Sequence, residues 1–205
     1  EKAMQAAEFA AELTRQLLTY ANSQDAPDEL IDLNQLVNDN ISLLNTTLLN
    51  GVTLQLDLTP NIPPVEAKRA HIQQIIMNLI INAAESIESG SGIVLLRTGR
   101  ELLREDERRH NFINGRSLTP GCYVYLQVTD TGNGMTPRQV QQVFSPFFTT
   151  KPAGRGLGLS TVLDMVNLYQ GGITLESQPG LGTTFCIFLP LPTHLGTMPN
   201  TSTLH

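Results

Sequence analysis

The chain has 205 residues, 40% of them hydrophobic and 16% charged, with 16 Gly and 12 Pro. That composition excludes disordered, collagen-like and disulfide-framework classes, and a chain this long buries roughly 70% of its unfolded surface. Thirteen Lys and Arg against nineteen Asp and Glu leave a net charge of −6, which argues against a dedicated nucleic-acid or anionic-membrane binder, because neutralising phosphates takes clustered cations.

The Arg-rich stretch 97–116 is interleaved with Glu101, Glu105, Asp106 and Glu107 and reads as a solvated, charge-mixed face. Cys122 and Cys186 sit in apolar, strand-like runs, which predicts two buried free thiols in a reducing compartment. No apolar run approaches the roughly 18 residues of a membrane span. No Met-led cleavable signal opens the chain. The expectation is a cytoplasmic piece of something longer, beginning mid-helix and making no direct membrane contact.

Residues 1–24 lack Pro and Gly and place Met4, Ala7, Ala11, Leu17, Leu18 and Ala21 at three-to-four spacing. This is an amphipathic helix that needs partner helices to bury its stripe. Residues 25–31 read as a linker, with Asp25, Pro27 and Asp28 as turn residues. A second helix starts at Asp32, a capping residue with Gln35 in the capping-box position, and runs to Gly51. Residues 52–58 alternate as a strand. Asn61-Ile62-Pro63-Pro64 forces a loop, and 68–88 is a long, very apolar helix. Strands follow over 93–97 and 122–130, joined by the charged segment. Short helices are expected over 137–144 and from 158 to about 170. A hairpin over 173–177 and 183–189 closes the domain, and 193–205 is a polar tail or linker.

Three constellations carry chemistry. Asn78 and Asn82 stand at i and i+4 on one helix face, inside a run so apolar that their amides need polar partners. Amide oxygens suit Mg²⁺, whose other ligands are usually waters and substrate phosphates. Two core amides bonded to the backbone would explain the same spacing. Asp130-Thr131-Gly132-Asn133-Gly134 follows a strand directly. Its carboxylate accepts hydrogen bonds only, as an exocyclic amine such as that of adenine requires, and glycines let backbone approach a flat ring. A tight turn has the same pattern. Third, Phe144-Ser145-Pro146-Phe147-Phe148 places three aromatics to pack a mobile segment on the core. Beyond them Lys151, Gly154, Arg155, Gly156, Leu157 and Gly158 lead into a helix N-terminus, where free N–H groups favour phosphate. It is neither a Walker loop nor a Rossmann fingerprint. A flexible surface loop is the competing explanation.

In this order, with the closing Gly180-Leu181-Gly182-Thr183-Thr184-Phe185, these motifs resemble the catalytic ATP-binding domain of sensor histidine kinases. Their superfamily (GHKL) also holds type II topoisomerases, mismatch-repair ATPases and a heat-shock chaperone. The resemblance spans about residues 32–191. The helix with Leu13-Thr14-Arg15-Gln16-Leu17-Leu18 looks like the second helix of these kinases' dimerisation bundle. Phe147-Phe148-Thr149-Thr150-Lys151 looks most like the nitrogen- and oxygen-sensing branch and related hybrid kinases.

The resemblance implies an α/β (α+β) two-layer sandwich, the Bergerat fold. Its sheet would be mixed, mostly antiparallel and covered on one face by helices, over residues 32–192, after one bundle helix at 1–24. It implies ATP and Mg²⁺ as cofactors, with Asn82 the main metal ligand and Asn78 a second ligand or phosphate contact. Asp130 would take the adenine amine, Gly132 and Gly134 would shape the base pocket, and Thr183 would support Asp130 and adenine through a hydroxyl or water contact. Gly154, Gly156 and Gly158, with Leu157 between them, would close over the phosphates beside Lys151 and Arg155.

The implied partners are a response-regulator receiver domain and a second copy of the chain, with no nucleic acid. Family members phosphorylate a histidine followed by an acidic residue on the first bundle helix. His71, His110, His194 and His205 all lack that context, so the acceptor is expected upstream and autophosphorylation is not expected of this chain alone. His71 is expected to be an ordinary surface residue or one supporting the site from behind. A faster ATP-hydrolysing machine of the superfamily and a degenerate dimerisation scaffold are the alternatives.

Overall fold

A computed structural model describes residues 27–41, 51–87, 91–104, 112–114, 118–151 and 156–192. The helix expected over 1–24, most of the second half of the helix expected from Asp32, and the tail from 193 lie outside the described residues.

The elements in chain order are β1 (Glu29–Ile31), α1 (Leu33–Asp39), β2 (Val52–Leu58), β3 (Val65–Ala67), α2 (Arg69–Glu85) and β4 (Gly92–Leu103). Then come β5 (Gly121–Asp130), α3 (Pro137–Gln142), α4 (Gly158–Leu168), β6 (Gly172–Gln178) and β7 (Gly182–Pro190). Five strands form one sheet in the order β2-β4-β5-β7-β6, and β1 pairs with β3 in a separate ribbon. Only β2 and β4 run parallel in the large sheet, joined through β3 and α2; its other pairs are antiparallel. This is the mixed, mostly antiparallel sheet the sequence implies.

Period decides which residues go inside. Val124, Leu126 and Val128 alternate along β5 and are buried against Ile72, Ile75, Ile76, Leu79, Ile80 and Ala83 of α2. Val162 and Val166 of α4 join the same core. Each fully buried aliphatic side chain stabilises by about 1.5–3 kcal/mol. At the sheet's other face Leu103, Tyr123 and Phe188 form a second, smaller cluster with Phe112, Leu118, Tyr125 and Cys186.

Several local expectations need correcting. β4 does not stop at Arg97. It pairs with β5 from Val94↔Asp130 to Leu103↔Gly121; Val94, Leu96 and Thr98 are buried on one face and, past the buried Gly99, Leu103 on the other, while Arg97 and Arg100 stay exposed. The presumed linker contributes β1, with Ile31 buried opposite Val65. Asp32 does cap α1, accepting from the N–H groups of Asn34 at 2.8 Å and Gln35 at 3.1 Å. That helix breaks at Asn40 rather than running on unbroken.

Both cysteines are free and only half-buried. Desolvation pushes the Cys186 thiol up to about 12, so it is protonated and inert. His71 is buried, not superficial. Its Nδ1 lies 2.7 Å from Tyr169 Oη, which accepts the Lys68 N–H at 3.0 Å. Phe147 is 60% exposed, whereas Phe144 is buried and packs edge-on to Phe185.

Candidate functional site

The C-terminal half of α2 presents one polar stripe on an otherwise apolar helix. Asn78 Nδ2 donates to Gly158 O at 3.1 Å, tying α2 to the start of α4, and Asn78 Oδ1 accepts from Gln74 Nε2 at 3.0 Å. One turn on, Asn82 Oδ1 accepts from the Lys151 ammonium at 3.0 Å. Glu85 and Ser86 continue the stripe. Lys151 Nζ also reaches Glu85 Oε2 at 2.9 Å.

At the end of β5, Asp130 is 4% exposed. Its Oδ1 accepts the Gly132 N–H at 2.8 Å and lies 2.8 Å from the Ser86 hydroxyl. Desolvation raises its proton affinity above the ordinary carboxylate value, and bonds from the Gly132 N–H, the Ser86 hydroxyl and the Thr183 N–H oppose that rise. Thr183 lies opposite Asp130 in the β5–β7 register. Its hydroxyl is 2.9 Å from Ser177 Oγ, and its support for Asp130 comes from its main-chain N–H.

The two glycines of this loop serve packing. A Cβ on Gly132 would run into Ser86, its carbonyl oxygen included at 2.6 Å. Gly134 has φ +62° and abuts the Gln178 carbonyl, a conformation that L side chains rarely adopt.

These groups meet in a cavity of about 440 Å³. Asn78, Asn82, Asp130, Gly134, Lys151, Gly156, Leu157, Gly158 and Thr183 all line it. Gly132 is not among the lining residues, and its N–H donates to Asp130 Oδ1. Gly154 and Arg155 lie outside the described residues. The polar wall also holds residues the sequence reading does not assign to the site: Glu85, Ser86, Asn133, Gln139, Thr149 and Thr150. Positions 78, 82 and 86 repeat every four residues, and that extension of the asparagine spacing is the signal that finds Ser86. Ile81, Met135, Val143, Phe148 and Leu159 supply apolar wall.

The cavity therefore combines a buried acceptor, apolar wall and an oxygen-rich cluster holding a cation. Asn82 Oδ1, Asn82 O and Glu85 Oε2 are hard oxygen donors already gathered around a positive charge. Of these, Asn82 Oδ1 fits Mg²⁺, which usually takes one or two protein oxygens beside waters and substrate phosphates. Asn78 fits less directly, since both ends of its amide have protein partners.

The profile of the family described as histidine kinase-, DNA gyrase B- and HSP90-like ATPase matches residues 67–193. The chain belongs to that family. Among its curated relatives, the sensor kinase CckA of Brucella abortus is 36% identical over 188 residues, covering 91% of this chain and 19% of that protein. The sensor histidine kinase ZraS of Escherichia coli is 32% identical over 165 residues, covering 80% of this chain and 31% of that protein. The chain thus spans between a fifth and a third of these relatives' length. The full-length structure of ShkA with AMPPNP shares the fold at TM-score 0.67 and 22% identity, covering 90% of this chain and 36% of that one. Within the ATPase family the chain is an ATP-binding catalytic domain of the sensor histidine kinase type. Among the described residues no helix is long and apolar enough to cross a membrane.

Proposed function

We propose that the cavity binds Mg²⁺·ATP and that the domain supplies the γ-phosphoryl group to a histidine on a helix of the whole protein outside this chain. That phosphoryl group would then pass to an aspartate of a response-regulator receiver domain. The observation that carries this reading is that the buried Asp130 and the Asn82–Lys151–Glu85 oxygen and cation cluster line one cavity of about 440 Å³.

Asp130 accepts the adenine amine, with Oδ1 held by Gly132 and Ser86 so that the carboxylate keeps one orientation. The apolar wall takes the ring faces. Asn82 holds the metal, which when bound neutralises charge on the phosphates. Lys151 and the main-chain N–H groups at the start of α4 take phosphate oxygens. Positioning and charge neutralisation are most of what phosphoryl transfer asks of a protein.

Asn78 stands where the hydrolysing members of the superfamily place a water-activating carboxylate. An amide takes no proton, so phosphate release stays well below about 1 s⁻¹. In the whole protein the domain works as a cytoplasmic homodimer joined through its helical bundle. Calorimetric titration with AMPPNP, with and without Mg²⁺, tests the reading. Saturable adenine-specific binding with Kd of about 1 mM or tighter supports it, and no binding to the whole protein refutes it.

A further inference from the structure

Lys151 Nζ lies 3.0 Å from Asn82 Oδ1, 3.2 Å from Asn82 O and 2.9 Å from Glu85 Oε2. An ammonium carries three protons, and these three acceptors use all of them. Lys151 and α2 are far apart in sequence, so the contact is tertiary. The Lys151 side chain is only 27% exposed, against 48% for Glu85. The amide oxygen assigned to the metal is therefore already held by a tethered cation.

A metal ion on Asn82 Oδ1 and the Lys151 ammonium claim the same oxygen in the same cleft, and two cations there repel. Lys151 must leave Asn82 when a metal–nucleotide enters. The arriving phosphates are the strongest anions within its reach, and a lysine on a flexible stem pairs with them as a point charge. Glu85 remains as a carboxylate that competes with phosphate for Lys151.

We infer that Lys151 and Glu85 form a cation-exchange pair. Glu85 parks Lys151 on Asn82 while the site lacks nucleotide, and nucleotide binding trades Lys151 from Glu85 and Asn82 to phosphate as the metal takes its place. Glu85 is thereby a determinant of nucleotide affinity that acts through Lys151. This inference rests on the nucleotide reading of the cavity.

Calorimetric titration of four proteins tests it: the wild type, Glu85→Gln, Lys151→Met and the double variant, each with Mg²⁺·AMPPNP and with adenosine. Glu85→Gln binds Mg²⁺·AMPPNP tighter by about two- to fivefold, the range expected for a half-exposed ion pair. Lys151→Met binds it more weakly, and in that background Glu85→Gln brings a clearly smaller gain. Adenosine, which has no phosphate, binds all four alike.

Unchanged or weaker AMPPNP binding by Glu85→Gln overturns the exchange pair. So does an equal gain without Lys151, which would be simple removal of a negative charge near phosphate. A matching shift for adenosine also overturns it. A wild type that binds neither ligand refutes the nucleotide reading itself, and is thereby distinguished from failure of the pair alone.

Discussion

The Ser86 hydroxyl lies 2.8 Å from Asp130 Oδ1, joining the end of α2 to the end of β5 across the floor of the cavity. Its single proton has a second acceptor, Ala83 O, at 2.7 Å. The same Oδ1 takes the Gly132 N–H at 2.8 Å. One oxygen of the carboxylate is thus committed to the protein, and the side chain is fixed before any ligand arrives.

Asp130→Asn separates binding from folding. An amide retains an oxygen for Gly132 and Ser86, but it can turn its NH₂ toward a ligand amine and it carries no charge. Nucleotide affinity is expected to fall by about a hundredfold or more, the scale on which a site rejects a mismatched hydrogen-bond partner. Stability is expected to hold or rise. Burial raises the Asp130 carboxyl above its ordinary value of 3.8, so the native state binds the proton more tightly than the unfolded chain does. Its ionisation therefore costs stability as pH rises through that window. Thermal melting and calorimetry on the same sample check both halves, and a variant that melts early and binds normally would contradict the role.

How much of this could be read from the sequence depends on how local each feature is. α2 is legible because a run from Ile72 to Ala84 contains no breaker, and β5 because Val124, Leu126 and Val128 alternate. β1 and β3 are three residues each, too short to display a period, and β3 directly follows Pro63-Pro64. Asp130, Asn82 and Asn78 stand out because polar groups in apolar runs are anomalous in one dimension. Glu85 does not, since a Glu at a helix end is ordinary, and Ser86 is marked only as the next step of the 78–82 spacing. The burial of His71 is set by Tyr169, 98 residues away, and the target of Lys151 is 69 residues away. No pattern along the chain encodes either distance.

Asn82→Ala removes an oxygen that faces a cation in the structure. The loss of nucleotide affinity is expected to be larger with Mg²⁺ than in its absence, by about tenfold, as for loss of a ligand or its support at other metal sites. Titrations with AMPPNP in Mg²⁺ and in chelator give the ratio. Equal losses in both would assign Asn82 a structural role only.

His71 confers a pH dependence on stability. Desolvation is the main cause lowering its proton affinity below the ordinary 6.5, with Lys68 adding to it and Asp28 opposing it. The unfolded chain therefore binds the proton more readily than the native state. The stability held by neutral His71 is complete above 6.5 and is lost as pH falls from there through the lowered native value. Tyr169 Oη, 2.7 Å away, meets the neutral ring and also accepts the Lys68 N–H. Tyr169→Phe deletes both bonds and is expected to cost about 1–3 kcal/mol. Urea unfolding at pH 7.5 and 5.5 isolates the ring: His71→Asn, which can offer an oxygen near the place of Nδ1, should lose less stability on acidification than the wild type. Identical losses would remove His71 from the account.

Gly134→Ala tests whether the Asp130 loop depends on its backbone rather than on ligand approach. The residue sits at φ +62°, and an added Cβ would meet the Gln178 carbonyl, whose carbon is 2.7 Å from the ideal Cβ position. Left-handed backbone costs an L residue about 1–2 kcal/mol and overpacking about 1–3 more, so destabilisation of about 2–5 kcal/mol is expected. Neighbouring contacts spread the damage. Gly180 N donates to Asn133 O at 2.7 Å, and Met135 N donates to Ser177 Oγ at 2.8 Å. Displacing the loop therefore disturbs the β6–β7 turn and, through Ser177, the Thr183 hydroxyl. Chemical denaturation should show the loss with no nucleotide present. If Gly134→Ala instead kept wild-type stability and lost only nucleotide affinity, the glycine would be there for the ligand, as the sequence alone suggests.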